Sequence, residues 1–167
     1  QIHRLTVGDE QALREIRLRS LQNEPNAYGS TYEREYAFVE TDWRGRLART
    51  DAATFVCQQD DGVAIGLVTG MIDESAAIVA WLTAMWVDPE WRRKGVAGLL
   101  IDEVIAWSRV QNCTTLRLHV TDGNDRAERA YEKHGFRRTG LNFRRDRDHV
   151  IEIEMEYVPT ATPEPLM

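Results

Sequence analysis

A chain of 167 residues with 21 Lys+Arg against 27 Asp+Glu carries a net charge of −6 and has a pI near 5.3. That balance excludes a general nucleic-acid binder, whose footprint is a basic surface. An apolar share of 43% beside 29% charged residues describes a globular chain long enough for a sizeable core, expected as a single domain over residues 1–158. No apolar run approaches the roughly 20 residues needed to cross a bilayer, and no apolar signal segment opens the chain. No membrane partner is therefore expected. The cysteines Cys57 and Cys113 lack any metal or redox spacing. Both read as reduced thiols of a reducing compartment, the cytoplasm, and no metal is expected.

In chain order, residues 2–7 read as a first strand ended by Gly8-Asp9. Asp9 then reads as the N-cap of a helix with an apolar stripe of Leu13, Ile16 and Leu21, which Pro25-Asn26 breaks. Residues 30–49 read as helical, in one piece or two, with start signals at Ser30 or Thr31 and at Thr41-Asp42. Residues 54–59 and 63–72 form a hairpin about Asp60-Asp61-Gly62. The apolar, aromatic run Trp81-Leu82-Thr83-Ala84-Met85-Trp86-Val87 ends the next strand, closed by Asp88-Pro89.

A helix follows over residues 96–111, with Leu99, Leu100, Val104 and Trp107 at helical spacing. Leu116, Leu118 and Val120 alternate with Arg117 and His119, which marks a half-buried strand with His119 on the side away from the core. Asn124 opens another helix, and Gly135 ends it. Residues 136–145 and 149–157 make a last hairpin, with Ile151, Ile153, Met155 and Tyr157 facing in and Glu152, Glu154 and Glu156 facing out. The proline-rich residues 159–167 are expected to be disordered. The order β-α-α-β-β-β-α-β-α-β-β predicts an α/β (α+β) fold: a mixed, mostly antiparallel central sheet of about seven strands with helices on both faces.

Between the strand ending at Val87 and the helix after it stands Trp91-Arg92-Arg93-Lys94-Gly95-Val96-Ala97, followed by Gly98. A strand, a glycine-rich turn and a helix N-terminus make a setting for phosphate, since unpaired N–H groups and the helix dipole both attract anions. Neither a Walker loop nor a dinucleotide-binding Gly-x-Gly-x-x-Gly occurs in the chain.

The pattern Arg92-x-x-Gly95-x-Ala97 resembles the pyrophosphate loop of the GNAT superfamily of N-acetyltransferases. The segment from Asn124 through Ala127, Ala130 and Tyr131 to Gly135-Phe136 resembles that family's later motif, at the expected separation of one helix and one strand. The resemblance is strongest over residues 80–140. It implies acetyl-CoA as co-substrate and direct transfer to an amine. Backbone groups of Met85 and Val87 would hold the pantetheine and thioester, and the N–H groups of residues 93–98 would hold the diphosphate. Arg92 and Arg93 would supply the charged contacts, with Lys94, Val96 and Ala97 beside them. Asn124 would cap its helix, bond the pantetheine, or do both.

Tyr131 lies seven residues after Asn124, two helical turns on, and so shares its face. The resemblance makes it the acid that returns a proton to the leaving thiolate, although a tyrosine at this position also suits the core. Glu33, in a segment that would border the acceptor cleft, is the favoured base, ahead of Glu35, Asp73, Glu74 and His119. The acceptor is read as a small-molecule primary amine, with a protein N-terminus or lysine as first alternative and a non-catalytic acyl-CoA-binding module as second. An open groove between residues 26–43 and the last hairpin would favour a peptide. Oligomeric state is left open, a homodimer being compatible.

Overall fold

The computed structural model describes residues 1–159. The tail expected to be unpacked therefore lies, from residue 160 onward, outside the described residues. The described chain holds β1 (Ile2–Leu5), α1 (Glu10–Asn23), α2 (Tyr32–Tyr36), α3 (Glu40–Ala48), β2 (Ala52–Gln58), β3 (Ala64–Ile72) and β4 (Val79–Val87). A 3-10 turn, Pro89–Trp91, leads to α4 (Val96–Val110), β5 (Thr115–Thr121), α5 (Asp125–Lys133), β6 (Phe136–Arg144) and β7 (Ile151–Tyr157). The strands make one sheet in the order β1-β2-β3-β4-β5-β7-β6, and only the β4–β5 pair is parallel. Among the described residues no helix is long and apolar enough to cross a membrane.

Two apolar layers flank the sheet. On one face Leu100, Ile101, Val104 and Trp107 of α4 and Tyr131 of α5 pack onto Ala80, Leu82, Leu118, Val120, Ile153 and Met155. On the other, Leu13, Ile16 and Leu21 of α1 and Trp43 of α3 pack onto Leu5, Val56, Leu67 and Trp86. This second layer covers β1–β4 alone, so Arg117, His119, Glu152 and Glu154 of β5 and β7 lie on the part of that face beyond the helices.

The 30–49 stretch forms two helices. Thr31 caps α2 by accepting the Arg34 N–H at 3.2 Å. α3 starts earlier than Thr41-Asp42 suggests, because the Asp42 carboxylate reaches back to the Val39 N–H at 2.8 Å. Asp9 stands at the N-cap of α1 but bonds no helix amide; its carboxylate accepts the Thr6 N–H at 2.8 Å and ends β1 at Leu5. Between α1 and α2, Arg17 makes a two-pronged ion pair with the fully buried Glu35, at 3.0 and 3.1 Å, and Arg46 of α3 adds a third contact at 2.7 Å. Burial alone would raise the Glu35 carboxyl, but the Arg17 bonds and charge outweigh it and hold it at about 2.

The inward–outward alternation expected for β7 fails at two positions. Ile151 is 37% exposed at the strand's start, whereas Glu154 is only 4% exposed. Thr139 of β6 donates to the Glu154 carboxylate at 3.0 Å, which satisfies one of its oxygens.

Candidate active site

β4 makes the site by leaving its neighbours. Its register with β3 slips between Leu67 and Thr69, where Ala84 takes a left-handed φ of 56° and inserts a bulge. Its pairing with β5 stops at Leu82–Leu118. Beyond that pair the two strands separate, and a cleft of about 710 Å³ opens between Thr83–Val87 and His119–Thr121. The Asp88 N–H donates to Ile65 O at 2.8 Å, so the adjacent Val87–Gly66 pair is of the non-hydrogen-bonded kind. The Val87 N–H therefore points away from β3, toward the side that β5 has left.

The cleft runs on to the start of α4. Gly95 is left-handed at φ 84°, as is Arg93 at 63°, and a Cβ on Gly95 would meet nothing within 4 Å. Glycine is needed there for its backbone conformation. Among the described residues no backbone N–H from Arg93 to Gly98 has an acceptor; the first such bond is from Leu99 to Gly95 O, at 3.2 Å. A row of free amides at a helix start is an anion cradle.

Gly98 is small for another reason: a Cβ there would stand 2.7 Å from the His134 ring, so it lets α5 approach α4. His134 itself lines the cleft. Arg93, Gly95, Val96, Ala97 and Gly98 all line the cleft, as do Met85 and Val87.

The three loop cations differ. Arg92 lines the cleft with Arg93, yet it donates to Val87 O at 3.1 Å and pairs with Glu24, whose carboxylate also takes Arg126 at 3.1 Å. Lys94 lies over the Trp91 ring, 5.0 Å from its centroid, and is not among the lining residues. Among the described residues neither Arg93 nor Lys94 makes an ion pair or hydrogen bond, and of those two Arg93 alone lines the cleft.

On α5, Asn124 accepts the Ala127 N–H at 3.3 Å and so caps the helix, while lining the cleft as well. Tyr131 lies on the same face, 7% exposed, with its ring edge-on to Phe136 at 5.8 Å. Burial, and then the charge of Glu24, push its phenol well above the ordinary value of 10.0. It therefore stays protonated across the working pH range.

The expected bases are scattered. Glu33 is exposed on α2 and is not among the residues lining the cleft, two positions from the buried Glu35. Glu35 is bound by its arginines. Asp73 is held at about 2 by the Trp81 indole N–H and the Ser75 amide, too acidic to take a proton at neutral pH. His119 and Glu152, by contrast, line the cleft.

Tyr28, Arg145 and Arg147 close its far side. Tyr28 is buried and its hydroxyl donates to Met85 O at 3.1 Å. From the β6–β7 turn, Arg145 donates to Asn26 O at 2.7 Å and Tyr28 O at 3.2 Å, and Arg147 to Tyr28 O at 2.6 Å and Ser30 O at 3.0 Å. This strap joins the α1–α2 loop to the last hairpin. Arginines in a turn and bare carbonyls 117 residues away leave no readable local signal.

Solved structures with this fold include a GNAT-family acetyltransferase from Streptococcus pneumoniae (19% identity, 93% of this chain and 96% of that one, TM-score 0.76). A spermidine N-acetyltransferase from Vibrio cholerae in complex with CoA and spermine shares 21% identity over 93% of each chain, TM-score 0.73. A ribosomal-protein-alanine N-acetyltransferase from Brucella melitensis shares 18% over 95% of this chain and 99% of its own, TM-score 0.74. No curated protein matches the chain in sequence. The model of the acetyltransferase (GNAT) family matches residues 11–136, the stretch that holds the bulged strand, the amide cradle and Tyr131, and the chain belongs to that family.

Proposed function

We propose that the chain is an acetyl-CoA-dependent N-acetyltransferase that passes the acetyl group directly to the primary amine of a small molecule. The observation that carries this reading is the row of unengaged amides from Arg93 to Gly98, opening onto the same cleft as the Val87 N–H and Tyr131. Those amides and Arg93 suit a diphosphate; Met85 and Asn124 suit the pantetheine arm. The outward Val87 N–H suits the thioester oxygen, where negative charge grows as the amine attacks. Holding both reactants in one cleft supplies much of the rate.

The role of Tyr131 follows from its acidity. A phenol above 10 is a poor outright donor to a thiolate whose conjugate acid titrates at about 8.5 on the cysteine reference. As a relay it passes its proton to sulfur while taking one from the attacking nitrogen, and ends neutral.

The strap supports a small acceptor. Structural neighbours include acetyltransferases for both spermidine and a ribosomal protein, so the shared fold does not choose between them. A peptide needs an open groove, and here four hydrogen bonds span it.

The experiment is release of free thiol from acetyl-CoA across a panel of primary amines and short peptides. Turnover with small amines and not with peptides is expected; turnover with peptides alone would overturn the acceptor class. Tyr131→Phe should lower kcat about 100-fold with the acetyl-CoA Kd unchanged. Unaltered kcat would remove Tyr131 from the chemistry.

A further inference from the structure

His119 is the first residue of β5 past its last pair with β4, so it stands at the apex where the strands part. Its ring is fixed on four sides. Trp81 packs against it at 5.0 Å and Phe143 at 4.8 Å between centroids. Its Nε2 lies 3.6 Å from the buried Glu154 carboxylate and its Nδ1 lies 3.5 Å from that of Glu152. The two carboxylates differ. Glu154 is enclosed, bonded by Thr139 with Arg117 4.0 Å away, whereas Glu152 lines the cleft and meets Arg145 at 3.4 Å. The ring thus has a buried side that orients it and an open side that faces substrate.

Resting on the acetyltransferase reading, we propose that His119 is the proton acceptor for the incoming amine and that Glu152 receives that amine as an ammonium. The substrate class is therefore a cationic alkylamine, while the Trp81 and Phe143 rings hold the imidazole in place. The amine gives one proton to Nδ1, and the Nε2–H turned toward Glu154 sets the tautomer that leaves Nδ1 free. Two flanking carboxylates stabilise the imidazolium that results. The nitrogen lone pair then forms the N–C bond, the C–S bond breaks, and the second amine proton reaches sulfur through Tyr131. His119 returns its proton to water, so an ammonium and a thioester yield an amide, a thiol and one proton.

The test compares two probes on the whole protein: butylamine, an ammonium at neutral pH, and trifluoroethylamine, whose lone pair is already free. His119→Ala should lower kcat/KM for butylamine about 100-fold, flatten the acid limb of the rate–pH profile and spare trifluoroethylamine, with acetyl-CoA affinity unchanged. Added imidazole should restore part of the butylamine rate. Glu152→Gln should raise KM for butylamine about tenfold, the worth of one charged contact. Equal losses on both probes without imidazole rescue would reduce His119 to a packing residue and overturn the proposal, as would wild-type kinetics in the variant. A wild-type protein that binds acetyl-CoA and turns over no amine would instead overturn the enzyme reading on which this rests.

Discussion

The two ends of the cleft are built by different means. The amide cradle between β4 and α4 is backbone, made within the single stretch 84–98. Its features are a bulge at Ala84, a left-handed Gly95 and amides with no acceptor. The acceptor end is side chains, assembled from residues 26–30, 119, 143–147 and 152–154 by contacts that span up to 119 positions. A backbone site tolerates changes of side chain but no change of conformation. A side-chain site can be retuned one residue at a time. This predicts that substitutions at the first end act on CoA affinity, and at the second on amine kinetics alone.

The largest expected effect breaks the cradle. Gly95→Glu places a carboxylate where the diphosphate would bind and forces a left-handed backbone that costs a non-glycine residue roughly 1–2 kcal/mol. CoA affinity should fall at least about 100-fold by calorimetry, with the fold intact by circular dichroism. Gly95→Asn, which adopts this conformation more readily, should retain much more of it. Intact affinity in the Glu variant would show that the phosphates bind elsewhere.

That end was legible in the sequence, since Arg92-x-x-Gly95-x-Ala97 and the Asn124–Tyr131 spacing are local patterns. The acceptor end was not. Period-two alternation correctly turned His119 away from the α4 core, but could not say that the other face is bare of helices at β5 and so becomes a cleft. Glu33 lay in the right segment, yet on a five-residue helix the neighbour two positions on, Glu35, points about 200° around, into Arg17. The free Arg93 and the occupied Arg92 are equivalent as letters. What distinguishes them is the set of acceptors that Arg92 finds, Val87 O and, 68 residues upstream, Glu24.

The buried ion pair of Glu35 supports the acceptor end through Arg17, whose guanidinium lies over the Tyr28 ring. Glu35→Gln leaves Arg17 and Arg46 without their carboxylate, and removing one partner of a buried pair costs about 3–5 kcal/mol. Thermal or urea unfolding should register that loss. The pH sign follows from the lowered carboxyl, 4.5 ordinarily and about 2 here. Wild-type stability from this pair is whole above the higher value and is lost as pH falls toward the lower. The variant's stability should be correspondingly flatter over that window, and a curve as steep as the wild type's would assign the acid sensitivity to other carboxylates.

The smallest expected effect falls on the strap. Arg147→Ala removes two bonds to backbone carbonyls, at 2.6 and 3.0 Å, while Arg145 keeps its own two and its Asp148 partner. Losing about 1 kcal/mol of net hydrogen bonding would raise KM for a small amine about fivefold, with kcat and CoA affinity little changed. The same loosening should begin to admit bulkier acceptors, because the α1–α2 loop is then held to the hairpin at one arginine rather than two. Hydrogen exchange in residues 26–30 should quicken in step. If exchange quickens while KM and acceptor size range stay as in the wild type, the strap holds the loop without shaping the acceptor, and selectivity must reside in His119 and Glu152 at the apex.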